Sequence, residues 1–260
     1  MISRLPPWVE TGAFTLAFAA GSVNAVGLLG FSHQAVSHLT GTSTLLGLGM
    51  AQLDYSSSVH LLLVIFSFVA GAAFSGFLID SSALQPGRRY GVALLLESAL
   101  LLLAMFALQN SSVAGHYLAS AACGLQNAMV TTYSGAIIRT THVSGLFTDL
   151  GLMLGARLRG QALDRRKAKL FLLLICGFIL GGSLGALAFA ALHFQALLLP
   201  AALTAVMAVG FYPVTADTLE KRHNVPKECS CPNAENTALN SSAKPSRYLA
   251  SLVPTVVRWP

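Results

Sequence analysis

Charge is what this chain has least of. Only 10% of its 260 residues are charged while 54% are hydrophobic, against roughly 25% charged in an ordinary soluble domain. A soluble globular fold is excluded by that shortage, and an outer face that meets lipid is implied. Uncharged runs of about 20 residues, enough to cross a bilayer, recur as far as residue 212, after which the composition turns polar. Cysteine is scarce too. Cys123 and Cys176 fall in apolar stretches and Cys229 and Cys231 in the polar tail, so with a cytosolic tail no disulfide framework is expected. The C-x-C of the tail, with His223 and Glu228 nearby, is a weak metal signal, and no metal is expected. No phosphate-binding glycine loop, nucleophile elbow or zinc-protease pattern occurs, so the chain is expected not to be an enzyme and to need no cofactor. The first ten residues lack a compact apolar core followed by a small-residue cleavage site. No removable signal peptide is therefore expected, and Arg4 and Trp8 read as interface anchors. The net charge of +6 would suit nucleic acid, but the basic residues gather in a few loops and the tail. That pattern orients a protein across a membrane and argues against a nucleic-acid partner.

What the chain does have is a repeat. Residues 37–47 read S-H-L-T-G-T-S-T-L-L-G and residues 141–151 read T-H-V-S-G-L-F-T-D-L-G. His38 falls on His142, Thr40 on Ser144, Gly41 on Gly145, Thr44 on Thr148 and Gly47 on Gly151. Upstream, residues 21–25 match residues 124–128, which places Asn24 on Asn127. Downstream, residues 68–75 align with 178–185, so Ser67, Gly71 and Ser75 mirror Gly177, Gly181 and Gly185. Small residues at every fourth position make a smooth face on which another helix can pack closely.

The apolar runs predict helices over residues 11–31, 59–79, 91–108, 113–130, 170–191 and 195–212, with shorter runs at 42–53 and 144–158. A run of about 12 residues makes roughly 18 Å of helix, against a hydrocarbon core of roughly 30 Å. Both short runs are therefore expected to dip into the membrane and return. With that topology Arg88 and Arg89, the basic loop 157–169 and both termini all face the cytoplasm, as the positive-inside rule requires. The expected fold is an all-α polytopic membrane protein of about six transmembrane helices plus two short re-entrant helices. Repeat 1 (about 11–80) and repeat 2 (about 113–191) then have opposite orientations, an inverted repeat of the kind used by many secondary transporters. Residues 91–108 and 195–212 are extra helices, 1–214 the transmembrane domain and 215–260 a disordered cytosolic tail. Should the short runs cross fully, an eight-helix arrangement replaces this one.

Each hinge supplies a histidine, hydroxyls and a glycine ahead of a short helix. Thr40, Gly41, Thr42 and Ser43 in the first copy, with Ser144 and Gly145 in the second, read as helix N-caps. A helix N-terminus inside the membrane offers unpaired N–H groups and partial positive charge, which suits a carboxylate, a phosphate or a small inorganic anion. The other reading is that they are satisfied caps in a packed hinge. His38 and His142 are expected to face each other and titrate as a pair, or else to hydrogen-bond hinge carbonyls. Glu97 interrupts an apolar run and is a candidate proton carrier or ion ligand, partnered by Arg139 or a hinge histidine, or a structural hydrogen-bonding group. Arg139 and Asp149 occur in the second copy only, Leu45 standing opposite Asp149. Such a pair either sets anion preference or neutralises itself. Asn24 and Asn127 are candidates to bond the hinge backbone or the substrate. His33 and His116 have no repeat partner and read as structural.

The motifs G-S-V-N-A-V-G, S-H-L-T-G-T, G-L-Q-N-A-M and T-H-V-S-G, in that order and ahead of an arginine-rich loop, resemble the YoaK-like family of bacterial multi-pass membrane proteins of unknown function. The resemblance covers about residues 11–212 and implies a bacterial cytoplasmic membrane location, with no established substrate or catalytic residue. The function expected from the residues is a proton-coupled secondary transporter or exporter of a small anion or organic acid. A passive anion channel, or a non-transporting scaffold or sensor acting through the tail, are the alternatives. The expected partners are the anionic solute and the lipid bilayer, and the glycine-lined faces would permit a homodimer.

Overall fold

The computed structural model describes residues 8–30, 36–79, 88–134 and 139–223. They form α1 (Trp8–Gly30), α2 (Leu39–Ala51), α3 (Tyr55–Leu78), α4 (Arg88–Gln109), α5 (Ala114–Tyr133), α6 (Val143–Leu158), α7 (Arg165–Leu192) and α8 (Leu198–His223), with a 3-10 turn, His193–Leu197, between α7 and α8. Among the described residues there is no strand. The two short runs are helices of 13 and 16 residues, below the about 20 residues of an ordinary membrane-spanning helix. The last helix continues to His223, so residues 215–223 are helical where the tail was expected to begin. The rest of that tail with Cys229 and Cys231, the anchor Arg4, the loop 80–87 and the hinge residues 31–35 with His33 lie outside the described residues.

Among the described residues, four stretches are long and apolar enough to cross a membrane: Val9–Gly30, Tyr55–Leu78, Arg88–Gln109 and Arg165–Gly210, the last containing both α7 and the start of α8. Helix α5 is long enough at 20 residues but is not among them. Its polar residues His116, Ser120 and Gln126 are all buried, so they lower its hydropathy without meeting lipid. Helix α3 is the reverse case. Leu62, Phe66, Val69 and Phe77 stand exposed along it, as a lipid-facing helix requires.

Glycines decide how the helices meet. Gly21 of α1 lies against the Phe178 carbonyl of α7, and Gly181 of α7 against the Phe18 carbonyl of α1. At a second crossing Gly124 of α5 lies against the Phe68 carbonyl of α3, and Gly71 of α3 against the Ala121 carbonyl of α5. A Cβ at any of these four positions would collide with backbone. The contacts ascend together along each pair: Phe14, Phe18 and Ser22 meet Gly177, Gly181 and Gly185, while Tyr117, Ser120 and Gly124 meet His60, Val64 and Phe68. Helices α1 and α7 therefore run parallel, as do α3 and α5. Helix α4 packs on α5 and α8, with a tight turn into α5 that sets Gly115 against Leu108. Ser98 of α4 donates to the Ala201 carbonyl of α8 at 2.9 Å. Helix α2 packs on α3 and α6 on α7.

The buried apolar side chains form two clusters. One joins Ala13 and Ala17 of α1 to Leu94 of α4, Met129 of α5, Leu146 of α6, Leu174 of α7 and Ala208 of α8. The other joins Val23 and Val26 of α1 to Val36, Leu101 and Ala104 of α4, Ala119 of α5 and Ala201 of α8. Between them, along α1, α4 and α8, come the buried polar residues Ser22, Glu97 with Ser98, and Thr204.

Candidate anion site

Helix α2 starts at Leu39 and α6 at Val143, with His38 and His142 in the N-cap positions. This corrects the expectation that Thr40, Gly41, Thr42, Ser43, Ser144 and Gly145 are the caps. They lie in the first turns, where a threonine hydroxyl can reach back to the carbonyl four residues earlier. Thr42 donates to the His38 carbonyl at 3.3 Å, Thr44 to that of Thr40 at 3.0 Å and Thr148 to that of Ser144 at 3.0 Å. Neither histidine side chain caps its helix. The first backbone bonds inside the helices are donated by Thr42 and Leu146, which leaves the amides before them outside the helical ladder.

The start of α6 borders a cleft of about 410 Å³, lined by Arg139, His142, Ser144, Gly145, Leu146, Thr148 and Asp149. Gly145 is needed there because the His142 imidazole lies over it, in the space a Cβ would occupy. Next along the chain from Arg139, Thr140 and Thr141 are buried, and the Thr140 hydroxyl has no hydrogen-bond partner. Five of the expected site residues, Arg139, His142, Ser144, Gly145 and Asp149, thus meet in one place.

The first copy contributes none of the lining. Thr40, Gly41 and Ser43 are exposed on α2, and half-buried His38 sets its ring edge-on to Phe178 at 5.7 Å between centroids. Contrary to expectation, His38 and His142 share no hydrogen bond or ring contact among the described residues: the His38 ring lies against Phe178, while His142 lines the cleft over Gly145. The first hinge is closed by its own bonds. Ser37 donates to Asn24 Oδ1 at 3.0 Å, and the Ser120 hydroxyl reaches the Val36 carbonyl at 3.3 Å and that of Val64 at 2.9 Å. Asn24 therefore bonds a hinge side chain where hinge backbone was expected. The matching Asn127 Oδ1 is buried with no partner at all.

Glu97 is 2% exposed, and its Oε2 has no hydrogen-bond partner. The expected pairing with Arg139 is not formed: the ion pairs among the described residues join Glu10 of α1 to Lys169 at 2.7 Å and to Arg166 at 3.7 Å. Sequence reasoning singled out Asn127 and read His116 as structural but missed the stripe they share on α5: His116, Ser120, Asn127, Thr131 and Ser134 recur at intervals of three, four or seven residues, a signal the spacing already carried.

No similarity to a curated protein or to a solved structure was found. A family model described as "Protein of unknown function (DUF1275)" matches residues 12–210, which contain every helix crossing and the cleft. This chain belongs to the DUF1275 family.

Proposed function

We propose that this protein is a proton-coupled secondary transporter or exporter of a small anion or organic acid in the bacterial cytoplasmic membrane, within the narrower YoaK-like likeness its paired motifs suggest. The observation that carries this reading is the cleft at the start of α6. The start of α6 with its free amides, the Arg139 guanidinium and the Ser144 hydroxyl border a volume in the usual range for small-molecule sites. Arg139 supplies positive charge for the anion, and Asp149 at the same mouth is the group that couples a proton to it in this reading. Glu97, buried with no fixed counter-charge, is the second proton carrier in this reading.

The helix directions support an inverted repeat and extend it. With α1 parallel to α7, α3 parallel to α5, and α4 opposed to both α5 and α8, the repeat mates α1 and α5 point opposite ways. The end of α1 and the start of α3 then share a side, as do the end of α5 and the start of α7. That makes α2 and α6 re-entrant and leaves six spanning helices, with both described ends and the basic loops on the cytoplasmic side. Each repeat becomes four helices, α1–α4 and α5–α8, so α4 and α8 belong to the repeat. The closed Asn24–Ser37 bond opposite an unpaired Asn127 suits one state of an alternating cycle.

The test is the melting temperature of the purified full-length protein with phosphate, sulfate or citrate at acidic and neutral pH. A bound anion stabilises by mass action, about 2.7 kcal/mol at a hundred times its Kd. The expected rise is larger at acidic pH and absent in Arg139→Ala and Ser144→Ala, while Glu97→Gln keeps the rise and loses part of its pH dependence. No rise with any of these anions, the fold being intact, overturns the anion site. Flux that no pH gradient can drive uphill would point to a passive channel.

A further inference from the structure

Where α3 and α5 begin, their crossing holds a chain of three rings. The Tyr117 hydroxyl lies 3.0 Å from His60 Nδ1, and His60 Nε2 lies 3.3 Å from His116 Nδ1. His116 is 3% exposed, whereas His60 and Tyr117 are half-buried, so the chain leads from the rim of the crossing to its interior. Packing does not demand these residues. Under the repeat's own alignment, positions 116, 117 and 60 correspond to Ala13, Phe14 and Leu170, and that crossing is built as apolar core. The polar rings are confined to one copy.

Among the described residues, the helices packed on this crossing carry their charged side chains elsewhere. Helix α4 brings Ala104 and Leu108 to this level against Gly115, and its own Arg88, Arg89, Tyr90 and Glu97 all lie in its first half. Helix α2, packed on α3, carries no titratable residue, and Asp54 ahead of α3 is exposed. One helical turn inward along α5 stands Ser120, whose hydroxyl bonds the Val36 carbonyl beside Ser37 and His38.

The geometry points to a proton relay made of Tyr117, His60 and His116, which carries protons between the outer rim of the α3–α5 crossing and the first hinge. In one tautomer Tyr117 donates to His60 Nδ1, His60 Nε2–H donates to His116 Nδ1, and His116 holds its proton on Nε2. As the Tyr117 oxygen takes a proton from water it passes its own to His60 Nδ1. His60 gives its Nε2 proton to His116 Nδ1, and His116 releases its Nε2 proton inward. One proton enters, one leaves, and both rings end in the opposite tautomer, which must be reset before a second proton can follow in the same direction, so steady flux is paced by that reset.

The relay rests on the proton-coupled reading above and can fail separately from it. The full-length protein in liposomes containing pyranine, under a potassium diffusion potential set by valinomycin, should acidify the lumen faster than protein-free liposomes. Tyr117→Phe, His60→Gln and His116→Gln should each lower that rate roughly a hundredfold. Since a histidine variant can misfold, ¹⁵N-histidine spectra are recorded as well: Tyr117→Phe, which keeps the ring, should move the His60 Nδ1 resonance and the tautomer balance of His116. A wild-type rate equal to that of empty liposomes, unchanged rates in the variants, or histidine spectra indifferent to Tyr117→Phe would each overturn the relay. If proton flux persists while phosphate, sulfate and citrate are not taken up by the same vesicles, the anion reading falls and the relay stands. If uptake is driven by pH and untouched by these variants, the relay alone falls.

Discussion

At Gly71 and Gly124 the backbones of α3 and α5 touch with no side chain between them, and at Gly21 and Gly181 those of α1 and α7 do the same. A larger residue there must push a carbonyl aside, which no rotamer change can relieve. Gly124→Val or Gly181→Leu is therefore expected to destabilise by about 1–3 kcal/mol or more, read as a lower melting temperature in detergent and loss of the folded species on size exclusion. Gly76, on the open face of α3, has nothing within 4 Å. Gly76→Ala should leave the protein folded and raise stability by up to about 1 kcal/mol. The four-residue spacing of small side chains was legible in the sequence, as was their role in packing. Which carbonyl each one faces was not, since that depends on which helix arrives.

Among the elements, α3 and α7 start alike. Asp54 accepts from the Ser57 amide at 3.1 Å and Asp164 from the Lys167 amide at 3.0 Å, the same cap in each copy. The hydrogen bonds from the Ser57 side chain and backbone hold the Asp54 carboxyl below its ordinary 3.8. A carboxyl lowered by folding stabilises fully above its unfolded value, and the contribution is lost as pH falls through the folded one. Melting scans between about pH 5 and pH 2 should accordingly show an acid-side loss that is smaller in Asp54→Asn, where a neutral cap remains. The short helices α2 and α6 teach the opposite lesson. Their existence and length were legible from the apolar runs, but their caps were misassigned. Thr42, Thr44 and Thr148 turn their hydroxyls back along the helix, a local choice that a list of cap-forming residues does not reveal.

For the molecule as a whole, the two crossings exchange partners between halves, α1 with α7 and α5 with α3, so neither half can bury its glycine faces alone. The proposed topology puts Ser111, between α4 and α5, on the side opposite Gln161, between α6 and α7. In intact cells, Ser111→Cys should react with a membrane-impermeant thiol reagent and Gln161→Cys should react only after the membrane is opened. Labelling of both from outside would rule out the inverted arrangement and favour full crossing by the short helices.

Composition and periodicity alone determined that this is a helical protein with a lipid-facing exterior, where its helices lie, and that its halves repeat, because burial in lipid and helix spacing are local properties of a stretch of chain. The site was not local. His38 and His142 occupy matching positions, yet one sets its ring against Phe178 and the other lines the cleft; Glu97 sits within α4 and Arg139 in the loop ahead of α6, and no ion pair between them is found among the described residues. Residues 116, 117 and 60 read as unremarkable until two helices that begin at the same end brought their rings within hydrogen-bonding distance. Only the tertiary structure could decide such pairings, because the distance between side chains on different helices is set by the crossing and not by either sequence.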